Sequence, residues 1–145
     1  RSLAGMRIGY AMASPELIKY LNDVKYSFNS YTMDQTALDL GVASINDQVY
    51  FEETLHKIIQ TRERVKLRLT ELGFTFRDSK SNFIFASHKS CPAEELFEKL
   101  KEKDIYVRYF KKPRIDNYLR ITIGTDAEMD EFLLEVEKYL KETGR

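Results

Sequence analysis

The feature that most constrains the fold is one long amphipathic stretch from about Asp47 to Leu72. Apolar side chains recur along it at helical spacing, and Gly73 follows as a helix-ending residue. Charged residues between Arg62 and Arg68 occupy the remaining positions, and we interpret them as the solvent-facing side of the helix. The stretch therefore predicts a single long helix, around which the shorter elements must be arranged.

Short strands and helices alternate in the sequence that follows this helix. A period of two and β-branched or aromatic side chains mark the strands, and capping residues mark the helices. The sequence predicts strands at 74–76, 82–86, 105–110 and 118–123, and helices that begin near Cys91 and at the capping box Thr125-Asp126-Ala127-Glu128. That order predicts an α+β sandwich with helices on one face of a small sheet.

The first 46 residues have a different character. Large apolar side chains fall on every second position from Met6 to Met12, which predicts a strand. Ser14-Pro15 predicts a helix that continues to about Val24, and Thr32-Met33-Asp34-Gln35 reads as a capping box that opens a second helix. Apolar residues lie on all sides of this second helix, so it needs a large partner. We therefore expect the chain to be a piece of a longer protein, opening in the middle of a strand.

Composition and charge exclude several classes of function. The chain has 145 residues, with 23 lysines and arginines balancing 23 aspartates and glutamates. With no net charge, no global field recruits nucleic acid or an anionic membrane. A single cysteine, Cys91, forbids an internal disulfide and fits a reducing compartment, and we interpret it as a cap or packing residue. The sequence predicts no metal site, signal peptide or membrane span.

Three arginines are candidate anion-binding residues. Arg7 lies between Gly5 and Gly9 on the small-residue side of the predicted strand, where a guanidinium suits a phosphate or carboxylate. Arg120 lies in the middle of an apolar strand, where a cation is costly unless it meets an anion. Arg108 occupies a similar alternate position in the strand before it. The alternatives are a local acid for Arg7, solvent for Arg120 and a surface ion pair for Arg108.

Two segments of the sequence resemble a known family. Ser2-Leu3-Ala4-Gly5-Met6-Arg7-Ile8-Gly9 resembles the end of the signature of class I/II aminotransferases, enzymes that use pyridoxal 5′-phosphate (PLP). Tyr118-Leu119-Arg120-Ile121-Thr122-Ile123-Gly124-Thr125 resembles the family segment whose arginine binds the substrate α-carboxylate. The resemblance covers the whole chain in order. It implies an α/β fold, the C-terminal portion of a fold type I, aspartate aminotransferase-like PLP-dependent transferase, with a small α+β sandwich domain.

The same resemblance implies roles for individual residues. Arg7 would bind the PLP phosphate, and Arg120 the substrate carboxylate. In the histidinol-phosphate branch of the family, to which the chain is most similar, Arg108 would meet the substrate phosphate. Asn82 resembles a position at the domain junction near the substrate, although bonding the turn backbone is an equally good role for it. The family lysine that forms the Schiff base with PLP would lie two positions before Arg1, so no catalytic residue is expected in this chain, which should be inactive alone.

The resemblance also implies an organisation and a reaction. Residues 1–46 would end the large PLP-binding domain, 47–73 would form an inter-domain helix, and 74–145 would form the small domain. The complete enzyme would be a cytoplasmic homodimer that exchanges an amino group between L-histidinol phosphate and 2-oxoglutarate in histidine biosynthesis. The alternatives are an aromatic aminotransferase, a threonine-phosphate decarboxylase, or a non-catalytic α+β binding domain.

Overall fold

The computed structural model of the protein describes residues 3–145. Arg1 and Ser2 lie outside the described residues, and Ser2 begins the segment that resembles the aminotransferase signature. The chain divides into two compact units, which meet in the sequence between Glu53 and Thr54. The predicted division into 1–46, 47–73 and 74–145 stays a prediction. No helix in the described part of the chain combines the length and apolar character needed to span a bilayer.

The first unit contains two helices with capped N-termini. Helix α1 spans Pro15–Phe28, and the hydroxyl of Ser14 accepts a hydrogen bond from the backbone N–H of Leu17 as predicted. Helix α2 spans Gln35–Asn46. Its cap is Asp34, whose carboxylate lies 2.7 Å from the backbone nitrogen of Ala37. The predicted capping box at Thr32 is therefore wrong, because a carboxylate both accepts the bond and complements the helix dipole.

The strand predicted over Met6–Met12 is also wrong. Ala4–Met6 forms one 3₁₀ turn, Arg7 ends it in the left-handed region at φ 58°, and residues 8–14 have no regular structure. The alternation is present in the sequence, but a strand forms only where a neighbour supplies ladder hydrogen bonds. Among residues 3–145, no strand pairs with this segment.

The long helix is confirmed. Helix α3 spans Gln48–Glu71, and Gly73 follows at φ +83°, the left-handed conformation that ends many helices. The buried side chains of its second half lie one helical turn or so apart and include Val65 and Leu69. This spacing turns one face of α3 toward the sheet of the second unit.

The second unit is a four-stranded antiparallel sheet with helices packed on one face. Its strands are β1 (Phe74–Phe76), β2 (Phe83–His88), β3 (Arg108–Tyr109) and β4 (Leu119–Thr122), in the order β1-β2-β4-β3. Helices α4 (Ala93–Lys101) and α5 (Asp126–Glu142) supply the other side of the core. The capping box at Thr125 is confirmed, with both reciprocal bonds present. The predicted α+β arrangement is therefore confirmed.

A buried histidine fastens the end of α3 to the sheet. The ring Nε2 of His88 lies 3.1 Å from the carbonyl oxygen of Leu72, and its Nδ1 accepts from the backbone N–H of Ser90 at 3.3 Å. These two bonds require the neutral ring with hydrogen on Nε2. A Cβ atom on Gly73 would lie 2.9 Å from that same nitrogen, so the close approach requires glycine there.

Candidate functional site

Strand β4 places Arg120 on the open face of the sheet. Its burial alternates, with Leu119 and Ile121 each 1% exposed toward the helices and Arg120 exposed on the other side. The register pairs Arg120 with Phe85 of β2 and with Arg108 of β3. Since directly opposed residues of antiparallel strands share a face, the helix-free side of the sheet presents both guanidinium groups.

Arg108 and Arg120 are thus two cations side by side. Neither forms an ion pair with any carboxylate among residues 3–145, and both are exposed. The predicted alternative for Arg108, a surface ion pair, is therefore wrong for the described residues. Like charges in directly opposed positions repel each other. An anion that bridges the two guanidinium groups would reduce this repulsion.

Two phenylalanine rings lie beside these guanidinium groups. The guanidinium carbon of Arg120 is 5.6 Å from the ring centre of Phe83 and 5.8 Å from that of Phe110, and Arg108 is 5.5 Å from Phe110. These are cation–π distances. Neither Phe83 nor Phe110 is among the site residues predicted from the sequence. The available signal was strand parity, because Phe110 lies two residues after Arg108 and so continues on the same face.

Asn82 lies in the turn that leads into β2. Its backbone carbonyl accepts a hydrogen bond from Ile123 at 2.9 Å, just beyond the end of β4. Its side chain is exposed and makes no hydrogen bond within the described residues. The turn is instead held by serine hydroxyls, with Ser79 donating to the carbonyl of Phe83 at 2.5 Å. The Asn82 amide is therefore available to a ligand or to another part of the protein.

A buried arginine of α3 holds the same turn. The Arg62 side chain is 6% exposed; its Nη1 donates to the carbonyl of Ser81 at 3.0 Å, and its Nη2 pairs with Glu63 at 2.9 Å. The interpretation that Arg62 belongs to the solvent-facing side of the helix is therefore wrong. A buried guanidinium needs partners for its donors, and the turn carbonyl satisfies one of them.

A cavity of about 900 Å³ opens on the same side of the sheet, beside the strand pair β1 and β2. Its lining includes the side chains Arg77, Lys80, Arg114, Phe85 and Tyr118. The rings of Phe85 and Tyr118 stack, with centroids 4.8 Å apart. The cavity also contains Asp78, whose pKa is lowered to about 2 by hydrogen bonds from Lys66 and then Lys80. The cavity wall is therefore aromatic with a predominantly cationic rim.

Arg7 lies in the first unit, whereas Arg108, Arg120 and Asn82 lie in the second. Its guanidinium is exposed, and its only bond among residues 3–145 is a long one, 3.5 Å, to the carbonyl of Ala4. No acid in the described residues pairs with it, so the local-acid alternative is not what the structure has. A free guanidinium beside glycines with open space around them fits a phosphate group.

The remaining reactive groups do not form a second site in the described residues. Cys91 is 1% exposed and packs in the core, and burial raises the pKa of its thiol. The packing interpretation is confirmed. In residues 3–145, no three histidine, cysteine, aspartate or glutamate side chains gather as they would around a metal ion.

Comparison with known proteins gives one consistent result. The model of the family "Aminotransferase class I and II" matches residues 1–136. A histidinol-phosphate aminotransferase from Brachyspira hyodysenteriae is 52% identical over 141 residues, which are 97% of this chain and 40% of that protein. The chain therefore spans about 40% of the length of such relatives.

Solved structures give the same fold. The histidinol-phosphate aminotransferase from Clostridium acetobutylicum superposes with a TM-score of 0.85 and 22% identity, covering 97% of this chain and 43% of that one. The enzyme from Sinorhizobium meliloti, solved in complex with pyridoxal-5′-phosphate, gives a TM-score of 0.81 and 24% identity, covering 97% of this chain and 38% of that one. At these identities the likeness concerns the fold. By its sequence match, the chain belongs to the class I and II aminotransferases.

Proposed function

We propose that this chain is the C-terminal part of a PLP-dependent aminotransferase that exchanges an amino group between L-histidinol phosphate and 2-oxoglutarate, as in histidine biosynthesis. The family membership and the names of relatives at about 52% identity support the reaction and the substrate. The 40% share of those relatives that the chain covers supports a larger whole.

One observation carries the proposal: Arg108 and Arg120 face each other on the open side of the sheet without an acid to pair with. The proposed reaction alternates between two anionic substrates. L-Histidinol phosphate has a phosphate group and no α-carboxylate, whereas glutamate and 2-oxoglutarate have carboxylates. A pair of guanidinium groups can bind either, because each presents parallel N–H donors to planar or tetrahedral oxygen anions.

Arg120 has the role of orienting the substrate. A guanidinium that holds the far end of the substrate fixes which bond of the reacting carbon faces the catalytic groups, and such positioning contributes much of an enzyme's rate. The rings of Phe83 and Phe110 both lie within cation–π distance of the Arg120 guanidinium and limit its movement. Asn82, one residue before Phe83 and with a free amide, is suited to a second contact with the same substrate.

Arg7 has the role of binding the cofactor phosphate. Its exposed guanidinium has no acidic partner within residues 3–145, which is what a phosphate ligand requires. When bound, PLP supplies an electron sink that stabilises negative charge at the reacting carbon of the substrate. Arg7 would anchor and neutralise the phosphate of PLP, so that the PLP ring is held in one place.

We further propose that the complete protein is a cytoplasmic homodimer. Support comes from the apolar side chains that α1 and α2 leave exposed, which an adjoining domain or subunit would cover. They include Tyr20, Leu21, Val24, Leu38 and Val42, between 44% and 67% exposed. Many large apolar side chains exposed on two helices are more typical of an interface than of a free surface.

The test is an amino-transfer assay on the complete protein that contains this chain. With PLP, L-histidinol phosphate and 2-oxoglutarate, we expect formation of glutamate and imidazole-acetol phosphate. Phenylalanine, tyrosine and threonine phosphate serve as competing substrates. A higher kcat/KM for an aromatic amino acid, or release of carbon dioxide from threonine phosphate, would contradict the proposal and assign the protein to one of those branches.

A further inference from the structure

We propose that Phe110 is a specificity-determining positioning residue, which holds Arg108 and Arg120 together and thereby favours a phosphate over a carboxylate at this face. The inference rests on the proposed function for the identity of the two substrates. Its geometric basis is independent of it, because it concerns only the second unit and the contacts between one ring and two guanidinium groups.

The Phe110 ring offsets the repulsion between the two guanidinium groups. Arg108 and Arg120 are directly opposed across β3 and β4, so their side chains share a face and their charges repel. Phe110 lies 5.5 Å from one guanidinium and 5.8 Å from the other. The face of an aromatic ring carries negative potential, so a single ring that contacts both cations attracts both toward the same point.

The two arginines do not depend on this ring equally. Arg120 has a second aromatic contact, with Phe83 at 5.6 Å. Within residues 3–145, Phe110 is the one aromatic ring that Arg108 contacts, and Arg108 forms no ion pair with an acidic side chain. Loss of the Phe110 ring would therefore release Arg108, whereas Arg120 would keep its contact with Phe83.

Because Arg108 depends on Phe110 more than Arg120 does, loss of the ring should affect phosphate and carboxylate substrates differently. A carboxylate has one negative charge and two oxygens, which a single bidentate guanidinium satisfies. A phosphate monoester carries about −1.5 to −2 charges near pH 7 and three oxygens, so it gains from a second guanidinium. Phe110 thus acts on phosphate binding, through Arg108, more than on carboxylate binding, through Arg120.

The ring is itself positioned by the aromatic surface of the sheet. Phe110 meets Phe85 edge to face, with centroids 6.4 Å apart, and Phe85 stacks on Tyr118. Phe110 is half-buried and so is held by packing as well as by the cations. A purely structural role for the ring is the competing explanation, and the experiment must separate it from selectivity.

The experiment compares Phe110→Leu, Phe110→Tyr and Phe97→Leu in the complete, PLP-loaded protein. Phe97 lies on α4 on the opposite side of the sheet, where its ring contacts Tyr109, so it controls for loss of one half-buried ring. We expect Phe110→Leu to raise KM for L-histidinol phosphate about tenfold, the effect of losing one or two cation–π contacts, while KM for glutamate changes about twofold or less. Phe110→Tyr keeps the ring and should retain both values, and Phe97→Leu should change neither selectively.

An equal rise of both KM values in Phe110→Leu, or the same selective rise in Phe97→Leu, would overturn the inference. A wild-type protein that does not use L-histidinol phosphate would contradict the proposed function instead. The inference is then tested by titration of the same variants with inorganic phosphate and with acetate. Selective weakening of phosphate binding in Phe110→Leu supports it, and parallel weakening of both anions overturns it.

Discussion

The two compact units of this chain differ in how they treat their apolar side chains. In the second unit, the inward side of every strand and of three helices joins one core, with Val65, Leu69, Ile84 and Val136 fully buried. In the first unit, Ala37 is the one buried residue among residues 3–53, while Phe28 and Tyr31 are more than 90% exposed. The second unit therefore buries its apolar side chains in its own core, whereas the first unit leaves most of its apolar side chains exposed.

This difference in burial determines how precisely each unit can position a binding residue. Arg120 lies on a strand whose other side is buried, and Arg108 on one whose other side is half-buried against the same core, so packing fixes both backbone positions. Arg7 follows a single 3₁₀ turn and lies in irregular backbone. Irregular backbone holds a guanidinium in place less precisely than a strand that packs on a core.

The largest expected effect on stability is that of truncating a core leucine of the second unit, compared with an exposed leucine of the first. Leu69 is fully buried and Leu21 is 50% exposed. Leu69→Ala should reduce the free energy of unfolding of this chain by about 2–5 kcal/mol, because it removes buried surface and leaves a cavity. Leu21→Ala should change it by about 0.5 kcal/mol or less. Urea denaturation measures both, and equal losses would break the comparison.

The next largest effect on stability is expected from replacing a glycine of the second unit, compared with a glycine of the first. Gly73→Ala should destabilise the chain by about 1–3 kcal/mol, because Gly73 has φ +83° and a Cβ there would contact the His88 ring at 2.9 Å. In the first unit, Gly5 has open space around its Cβ position. Gly5→Ala should be close to neutral in thermal unfolding, and a loss as large as that of Gly73→Ala would contradict the open space at Gly5.

The buried arginine should give a smaller effect than the core leucine. Arg62→Met removes the hydrogen bond to the carbonyl of Ser81 and the pair with Glu63, and should cost about 1–3 kcal/mol. Arg64, on the same helix, pairs with Asp126 and Asp130 at the surface. Arg64→Met should cost about 1 kcal/mol or less. If chemical denaturation gave the reverse order, the turn before β2 would not depend on Arg62.

The smallest effect is a dependence on pH in the second unit. Hydrogen bonds from Lys66 and Lys80 lower the pKa of Asp78 from its ordinary value of 3.8 to about 2. A lowered pKa in the folded state gives stability that is present above about pH 4 and is lost as the pH falls toward 2. The unfolding free energy of Asp78→Asn should therefore fall less steeply than that of the wild type across this window. If the unfolding free energies of the two proteins fell in parallel with pH, the lowered pKa of Asp78 would be contradicted.

Much of the second unit could be predicted from its sequence, because local signals and the global fold agree there. The capping box at Thr125, the glycine after α3 and the strand alternation around Arg120 each coincide with an element that the core stabilises. The strand at Arg108 is shorter than predicted, two residues against six, since it lies at the edge of the sheet and pairs on one side.

Failures of prediction have two physical causes. The alternation from Met6 to Met12 does not make a strand, because strand formation depends on a pairing partner that local sequence does not supply. Arg62 and Phe110 were missed because their roles depend on contacts with residues distant in sequence or on the other strand. Periodicity places a side chain on a face, but it does not identify the carbonyl or the guanidinium that the side chain will meet.

The most direct test of the central claim is a binding titration of the complete, PLP-loaded protein with L-histidinol phosphate. Arg120→Leu, Arg108→Leu and the control Arg77→Leu should be compared, since Arg77 is also exposed and lines the neighbouring cavity of the same unit. We predict that Kd rises about a hundredfold for Arg120→Leu, about tenfold or more for Arg108→Leu and about threefold or less for Arg77→Leu. Equal affinities in all three variants would contradict an anion site at the face shared by Arg108 and Arg120.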